Sequence, residues 1–136
     1  RHMDAILGLI EAYGLDDPVV NDTPGLFSNL DLAALYEELT AQGAESVVAA
    51  LTVGATIEDL DILDLEERLT LTENAGIIRV FENLLRGSRN HLRAFTSLLE
   101  AEGVEYEPVY HSAEEIAALL DGVRSGTGQY RGRWSR

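Results

Sequence analysis

The sequence contains no cysteine in its 136 residues, and this absence removes several classes of protein at once. Without cysteine there is no disulfide framework, no thiol nucleophile and no zinc site built from thiolates. Any metal site must therefore use carboxylate oxygens and imidazole nitrogens, a donor set that suits iron, manganese or zinc.

Lysine is also absent, and positive charge is scarce. All 10 basic residues are arginines, against 24 acidic residues, and the formal net charge is −14. This balance argues against nucleic-acid binding through a general basic surface. It is typical either of a protein adapted to high salt, which screens the self-repulsion of the acidic surface, or of a GC-rich coding sequence.

No apolar run approaches the roughly 18 residues needed to cross a membrane. Hydrophobic residues make up 46% of the chain and charged residues 25%, as in ordinary soluble domains, and the length suits one domain with its own core. We therefore expect a soluble protein with no membrane partner, in a compartment that the sequence leaves open. The chain opens with Arg1-His2-Met3 inside a helical pattern, so we expect the native protein to have residues before Arg1.

The spacing of apolar residues predicts helices and no strand. The predicted helices cover residues 1–13, 31–42, about 44–69, about 75–101 and 113–121. Glycine stop signals follow three of them, and a capping box at residues 112–115 begins the last. The turn at residues 70–74 is short, so the two long helices should lie antiparallel. We divide the chain into a helical domain, 1–121, and a Gly/Arg-rich tail, 122–136, whose Tyr130 and Trp134 suggest docking onto another surface.

Polar residues interrupt the predicted core stripes of both long helices. The stripes follow steps of three and four residues: 47, 51, 54, 58, 61, 65 on one helix, and 77, 81, 84, 88, 91, 95, 98 on the other. Glu58 and Asp61 fall on the first stripe, and Ser88 and His91 on the second. Because buried charges are costly unless they are paired or bound to a metal, these residues mark the candidate site.

A metal site is one explanation for these residues. Carboxylate-rich metal sites in four-helix bundles use a Glu from each of two helices and a Glu-x-x-His from each of the other two. Glu58 and Asp61 supply two carboxylates from one helix, and His91 supplies an imidazole from the next. His2, on the helix of residues 1–13, lies at the extension of the buried seam and adds a second imidazole. Ser88 stands where the Glu of a Glu-x-x-His would be.

The alternative explanation is structural. Glu58 and Asp61 would then pair with Arg89 or Arg93, and His91 would be a hydrogen-bonded core histidine. His2 would be a frayed terminal residue or a remnant of a cloning tag. Ser88 and His91 share a helix face, but no oxyanion arrangement accompanies them, which argues against a hydrolase.

The remaining charged groups fit solvent-exposed or capping roles. His111 is expected in the cap region of the last helix. A solvated face is expected for Asp59, Asp64, Glu66 and Glu67.

Three stretches resemble a known family. Residues 1–5, 53–65 and 82–95 are similar to the domain-of-unknown-function family 2202 of bacteria and archaea, and the resemblance extends over residues 1 to about 120. It implies a ferritin-like four-helix bundle, related to rubrerythrin and bacterioferritin, that lacks its first helix here. It also implies that Arg1-His2-Met3 is native.

The resemblance also implies a ligand set. His2 matches the histidine of the family's second helix, and Glu58 matches the glutamate of the third. Asp61 matches the extra acid of rubrerythrin-like sites. His91 matches the fourth-helix histidine, with Ser88 replacing its glutamate. The site would then be incomplete: a preceding segment or another chain completes it, or the protein no longer binds metal.

We therefore predict an all-α, ferritin-like bundle with short additional helices. The predicted function is metal binding at His2, Glu58, Asp61 and His91, as a di-iron site with oxidase or peroxidase-type activity, with manganese or zinc as alternatives. The competing prediction is a non-enzymatic assembly protein that has lost the site. In either case a second copy of the chain, or a separate helical segment, is expected to complete the bundle.

Overall fold

The computed structural model describes residues 2–124, and all of its regular structure over that range is helical. The five helices are α1 (His2–Ala12), α2 (Leu30–Gly43), α3 (Val47–Thr70), α4 (Ala75–Ala101) and α5 (Ala113–Arg124). The all-α prediction is confirmed. Arg1 and residues 125–136, which include Tyr130 and Trp134 of the predicted tail, lie outside the described residues.

Local capping chemistry sets the helix boundaries. The side chains of Asn29, Ser46 and Asn74 accept hydrogen bonds from first-turn N–H groups of α2, α3 and α4, which satisfies donors that have no partner within the helix. The predicted capping box forms at α5: the Ser112 N–H and hydroxyl both donate to Glu115 Oε2 at 2.8 Å. Every predicted helix is therefore present, and only α5 extends clearly further than expected, to Arg124.

The antiparallel pair α3 and α4 forms the centre of the fold. α2 packs on α3, and both α1 and α5 pack on α4. α1 runs antiparallel to α4, because His2 lies beside Gly87 while the Tyr13 hydroxyl donates to Asn74 Oδ1 at 2.7 Å. Helices α1, α3 and α4 carry the residues of the candidate site.

None of the described helices is long and apolar enough to cross a membrane.

The core coincides only in part with the predicted stripes: Leu84 and Ser88 are buried, and Leu51, Leu65 and Phe95 pack against the core cluster. Val47 and Leu98, both predicted to face the interior, are 68% and 52% exposed, and Asp61 and His91 are exposed too. The centre of the apolar core is formed by Ala55, Ile62, Leu85, Leu92, Leu99, Tyr106 and Ile116. The reason is that residues 106–111, after α4, bond to Asp59 and so bring a neighbouring face of α3 into the interior, while α5 packs on α4.

Gly54 marks the closest approach between α3 and α4. A Cβ atom at this position would lie 2.5 Å from Phe95 Cε1, which is well inside van der Waals contact. We expect Gly54→Ala to lower the free energy of unfolding by about 1–2 kcal/mol, because the overpacking outweighs the helix propensity of alanine.

The matched control for Gly54 is Gly8→Ala in α1, since a Cβ there has no neighbour within 4 Å. We expect this change to raise the free energy of unfolding by up to about 1 kcal/mol, because only helix propensity changes. Urea unfolding of both variants measures the contrast. An equal gain in both would show that Phe95 does not press against Gly54.

Candidate functional site

The four predicted site residues come together where α1, α3 and α4 meet. His91 Nδ1 lies 3.1 Å from Glu58 Oε1, and the rings of His2 and His91 stack with centroids 5.7 Å apart at 27°. Asp61 lies near both histidines, whose charges act to lower its pKa. We call His2, Glu58, Asp61, Ser88 and His91 the His–acid cluster.

Sequence spacing explains how the cluster assembles. Residues three apart on a helix share a face, so Glu58 lies beside Asp61 on α3, and Ser88 beside His91 on α4. Gly87 makes room for α1, because a Cβ there would lie 2.9 Å from His2 Nε2.

The two carboxylates of the cluster differ in exposure: Glu58 is largely buried, whereas Asp61 lies at the exposed edge of the cluster. The Glu58 side chain is 14% exposed, while that of His91 is 53% exposed. Burial raises the pKa of Glu58, although Ser88 and His91 oppose the shift. The pKa of Asp61 is also raised, first by desolvation from the surrounding side chains, with the charge of His2 acting against it. Both groups therefore hold their protons more readily than ordinary surface carboxylates.

Two buried atoms of the cluster lack partners. Ser88 has no exposed surface, and its Oγ and Glu58 Oε2 make no hydrogen bond of standard geometry within the described residues. Ser88 is nevertheless close enough to Glu58 and Asp61 to lower the pKa of each. Because buried polar atoms are normally paired, these two atoms mark a place for a ligand or water.

The donor types fit a divalent metal ion, but the side chains contact one another instead of surrounding a common point. Among residues 2–124, no three His, Asp or Glu side chains are arranged as ready metal ligands. Glu58 and His91 are in direct contact, with His91 Nδ1 3.1 Å from Glu58 Oε1. Two carboxylates and two imidazoles are a suitable donor set for iron, manganese or zinc.

The alternative prediction paired Glu58 and Asp61 with Arg89 or Arg93, and the structure gives Arg89 and Glu58 other partners. Arg89 forms an ion pair with Glu66, with Arg89 Nη2 2.9 Å from Glu66 Oε1, whereas Glu58 is bonded to His91. Glu66 is half-buried, so its prediction as part of a solvated face was wrong. Asp64 is exposed as predicted and pairs with Arg68 on the same helix.

Asp59 is a buried anchor, and its prediction as a solvated residue was wrong. It has no exposed surface. Asp59 Oδ2 accepts hydrogen bonds from the Tyr106 hydroxyl and from the N–H groups of Val109 and Tyr110, each at 3.0 Å. His111 Nδ1 lies 2.6 Å from Asp59 Oδ1. The carboxylate thereby fastens residues 104–112, which we call the strap, to α3.

The hydrogen bonds to Asp59 keep it ionised despite its burial. Burial alone would raise the pKa of Asp59, but the donors at Tyr110, His111, Val109 and Tyr106 lower it below the ordinary value. Burial and the adjacent carboxylate raise the pKa of Tyr106 to about 12. The ionised Asp59 carboxylate is therefore stabilised by four hydrogen-bond donors at once.

His111 lies in the cap region of α5, directly before Ser112, as predicted, and it also belongs to the Asp59 network. Its side chain is only 7% exposed, and its Nε2 lies 3.9 Å from Glu66 Oε2. Because Glu66 also binds Arg89, the network joins the strap to both α3 and α4. A non-helical segment packed on a helix needs acceptors for its N–H groups, and Asp59 supplies one for Val109 and Tyr110.

Comparison with known proteins places the chain in a family. A family model described as an uncharacterized protein domain (DUF2202) matches residues 1–122. The chain belongs to the DUF2202 family. The family prediction made from the three sequence stretches is therefore confirmed.

This DUF2202 protein is also similar to a protein of known structure. Uncharacterized protein MJ0754 of Methanocaldococcus jannaschii is 50% identical over 119 residues, which cover 88% of this chain and 64% of that protein. The chain thus spans less than two thirds of that relative's length. The crystal structure of hypothetical protein MJ0754 superposes with a TM-score of 0.85 at 50% identity, covering 88% of this chain and 69% of that one. Both the His–acid cluster and the strap lie within the residues matched by the DUF2202 model.

Proposed function

We propose that this protein binds a metal ion at the His–acid cluster, with iron as the first candidate and manganese or zinc as alternatives. The observation that carries the proposal is the pair of buried oxygens, Glu58 Oε2 and Ser88 Oγ, that make no hydrogen bond of standard geometry and lie in one cluster with two imidazoles. A cation would compensate the carboxylates whose pKa values burial raises. In that role Glu58 and Asp61 supply charge, and His2 and His91 supply neutral nitrogen donors.

We further propose that the helices form a ferritin-like bundle. Support comes from the antiparallel arrangement of α1 and α3 with respect to α4, with donors of all three helices meeting at one level. The side of the cluster that holds His91 is open, and the neighbouring Ile57 is 42% exposed. A helix from another segment, or from a second copy of the chain, would complete the bundle on that side.

If the bound metal is iron, we propose oxidase or peroxidase-type activity, as the sequence predicts for a di-iron site. Bound iron would supply the redox chemistry toward oxygen or peroxide. The chain's own contribution is to bind the ion, to withhold Glu58 from water and to keep the Ser88 hydroxyl facing the carboxylates. The half-exposed His91 leaves an approach for a small substrate.

A second candidate function is a non-enzymatic assembly protein. The direct hydrogen bond between Glu58 and His91 favours it, because it partly satisfies the cluster with no metal. The two functions predict different results for variants that lack the cluster side chains. An assembly protein keeps its oligomeric state and binds no metal, so sedimentation and metal analysis on the same samples separate the two.

Metal titration of the purified apo-protein tests the proposal. We expect tight, stoichiometric binding, and a loss of affinity of at least about 100-fold in Glu58→Gln and in His91→Ala. Removing a direct ligand should cost more than removing an outer-shell partner, which costs about 10–100-fold. Calorimetry with Fe²⁺ under anaerobic conditions, and with Mn²⁺ and Zn²⁺, gives the affinities.

The matched control is Glu67→Gln, an exposed acid on the same helix, which should leave the affinity unchanged. Circular dichroism of each variant verifies that the helices persist. If none of the three metals binds to the folded wild-type protein, the metal-binding function is wrong. A common loss of affinity in all the variants, including Glu67→Gln, would point to non-specific attraction by the acidic surface.

A further inference from the structure

His111 presents both of its ring nitrogens to carboxylates of α3, and only one of the two nitrogens is hydrogen-bonded. Nδ1 lies 2.6 Å from Asp59 Oδ1, and because Asp59 stays ionised, this nitrogen carries a hydrogen and donates it. Nε2 is buried and makes no hydrogen bond within residues 2–124. It lies 3.9 Å from Glu66 Oε2, within ion-pair distance but too far for a hydrogen bond.

The protonation state of His111 decides what Nε2 can do. In the neutral ring, the hydrogen on Nδ1 leaves Nε2 as an acceptor, and the Glu66 carboxylate that faces it is an acceptor as well. In the charged ring Nε2 becomes a second donor, and His111 then joins the strap to α3 at Glu66 as well as at Asp59. Histidine is the side chain that ordinarily makes this change between pH 5 and 8.

The charges around His111 favour the charged ring. Asp59 and Glu66 face it from α3, and Glu115 of α5 lies within electrostatic range of it. Arg89 of α4 binds Glu66 at 2.9 Å and offsets one of these three negative charges. A positive charge on His111 offsets a second one, in a place where its side chain is only 7% exposed and where attraction between charges is little screened by water.

We propose that His111 is a pH-operated latch of the strap. Its protonation fastens the strap to Glu66 as well as to Asp59, and its deprotonation leaves only the bonds to Asp59. The strap should therefore open less often in mild acid than in mild alkali. Opening would expose Asp59 and Tyr106, which are both buried. None of the four proposed metal ligands belongs to this network, so the latch does not depend on the proposed function.

Native-state hydrogen exchange of the Val109 and Tyr110 amides, which both donate to Asp59, measures how often the strap opens. Spectra are taken at pH about 5.5 and about 8, on either side of the ordinary histidine value of about 6.5, and each rate is divided by the intrinsic rate at that pH. We expect protection to be greater in acid by about tenfold or more, the effect of one hydrogen bond to a charged group. The amide of Ile62, a fully buried residue of α3, reports changes that affect the whole protein.

Two variants test the two contacts of the latch separately. His111→Asn keeps a donor beside Asp59 but does not titrate, so its strap should be equally protected at both pH values. Glu66→Gln keeps the bond between His111 and Asp59 but removes the charge that faces Nε2, so the gain in acid should disappear. The matched control is Glu67→Gln, an exposed neighbour on the same helix, which should retain the wild-type response. Circular dichroism verifies that each variant is folded.

Several results would overturn the latch. Equal or weaker protection of the strap in acid would do so in the wild type, as would a wild-type response in folded His111→Asn or Glu66→Gln. If neither variant folds, the nitrogen chemical shifts of the wild-type His111 ring decide: a ring that is charged in acid supports the latch, and one that stays neutral at pH about 5.5 contradicts it. No metal enters these measurements, so failure of the latch leaves the proposed function untouched.

Discussion

Replacing Asp59 with asparagine is expected to lower the free energy of unfolding by about 3–5 kcal/mol, the range for a broken buried charged network. Asparagine keeps the shape of the side chain, but one of its two terminal groups becomes a donor. That amide would face groups that already donate, namely Tyr106, Val109, Tyr110 and His111. The strap should detach first, since these bonds fasten it to α3.

Urea unfolding followed by circular dichroism measures the loss of stability, and hydrogen exchange locates it. The amide hydrogens of Val109 and Tyr110, which donate to Asp59, should exchange much faster in the variant. The control is Asp64→Asn, whose ion pair with Arg68 joins side chains 53% and 57% exposed. Such a pair contributes at most about 1 kcal/mol, so this variant should remain close to the wild type.

The contribution of Asp59 should also depend on pH with a definite sign. The folded protein lowers the pKa of Asp59 below its ordinary value of 3.8. The stabilisation is therefore fully present above the unfolded pKa and is lost as the pH falls through the folded pKa. Wild type and Asp59→Asn should converge in stability at acid pH. A difference that persisted unchanged there, or none at neutral pH, would mean that the charge of Asp59 does not hold the strap.

Leu92→Ala is expected to lower the free energy of unfolding by about 3 kcal/mol, and Leu98→Ala by less than about 1 kcal/mol. Both leucines lie on α4, but Leu92 has no exposed surface whereas Leu98 is 52% exposed. Truncating a fully buried leucine removes transfer free energy and leaves a cavity, while an exposed leucine loses little of either.

Thermal and urea unfolding of the two leucine variants measure the contrast directly. The pair also discriminates between two core stripes, because the sequence pattern placed Leu98 on the buried face and the structure places Leu92 there. If Leu98→Ala proved the more damaging change, the predicted stripe would be the correct core, or a partner would cover Leu98.

The helices themselves could be predicted because their signals are local. Asn29 and the Ser112–Glu115 box satisfy N–H groups within one turn. Gly14 and Gly103 end their helices with φ of +61° and +76°, a conformation that glycine adopts without strain. Signals of this kind do not depend on where the rest of the chain lies.

The composition of the His–acid cluster could be predicted for a related reason. A short turn between two long helices fixes their register, so residues equally distant from the turn lie at one level. That count places Glu58 level with Ser88 and His91 about one helical turn further from the turn, within one slab of the bundle. In the structure His91 Nδ1 lies 3.1 Å from Glu58 Oε1.

The buried face of α3 could not be predicted, because the helix is apolar around most of its circumference. Several stripes then fit the pattern equally well, and only long-range packing selects one. That packing comes from the strap, whose His111 is 52 positions away from Asp59 along the chain. Neighbouring acids on such a helix have similar local sequence, so nothing local marks Asp59 as buried and Asp61 as exposed.

The weak attachment of α1 has a kinetic consequence for the cluster. This helix contributes no buried residue, and its contacts with α4 include His2 at one end and Tyr13 at the other. Segments with few buried contacts open at low free energy while the rest of a protein stays folded. Each opening of α1 withdraws His2 and leaves Glu58, Asp61 and His91 in place on the α3–α4 pair. For an ion held by all four side chains, the residence time would then be governed by the opening rate of α1.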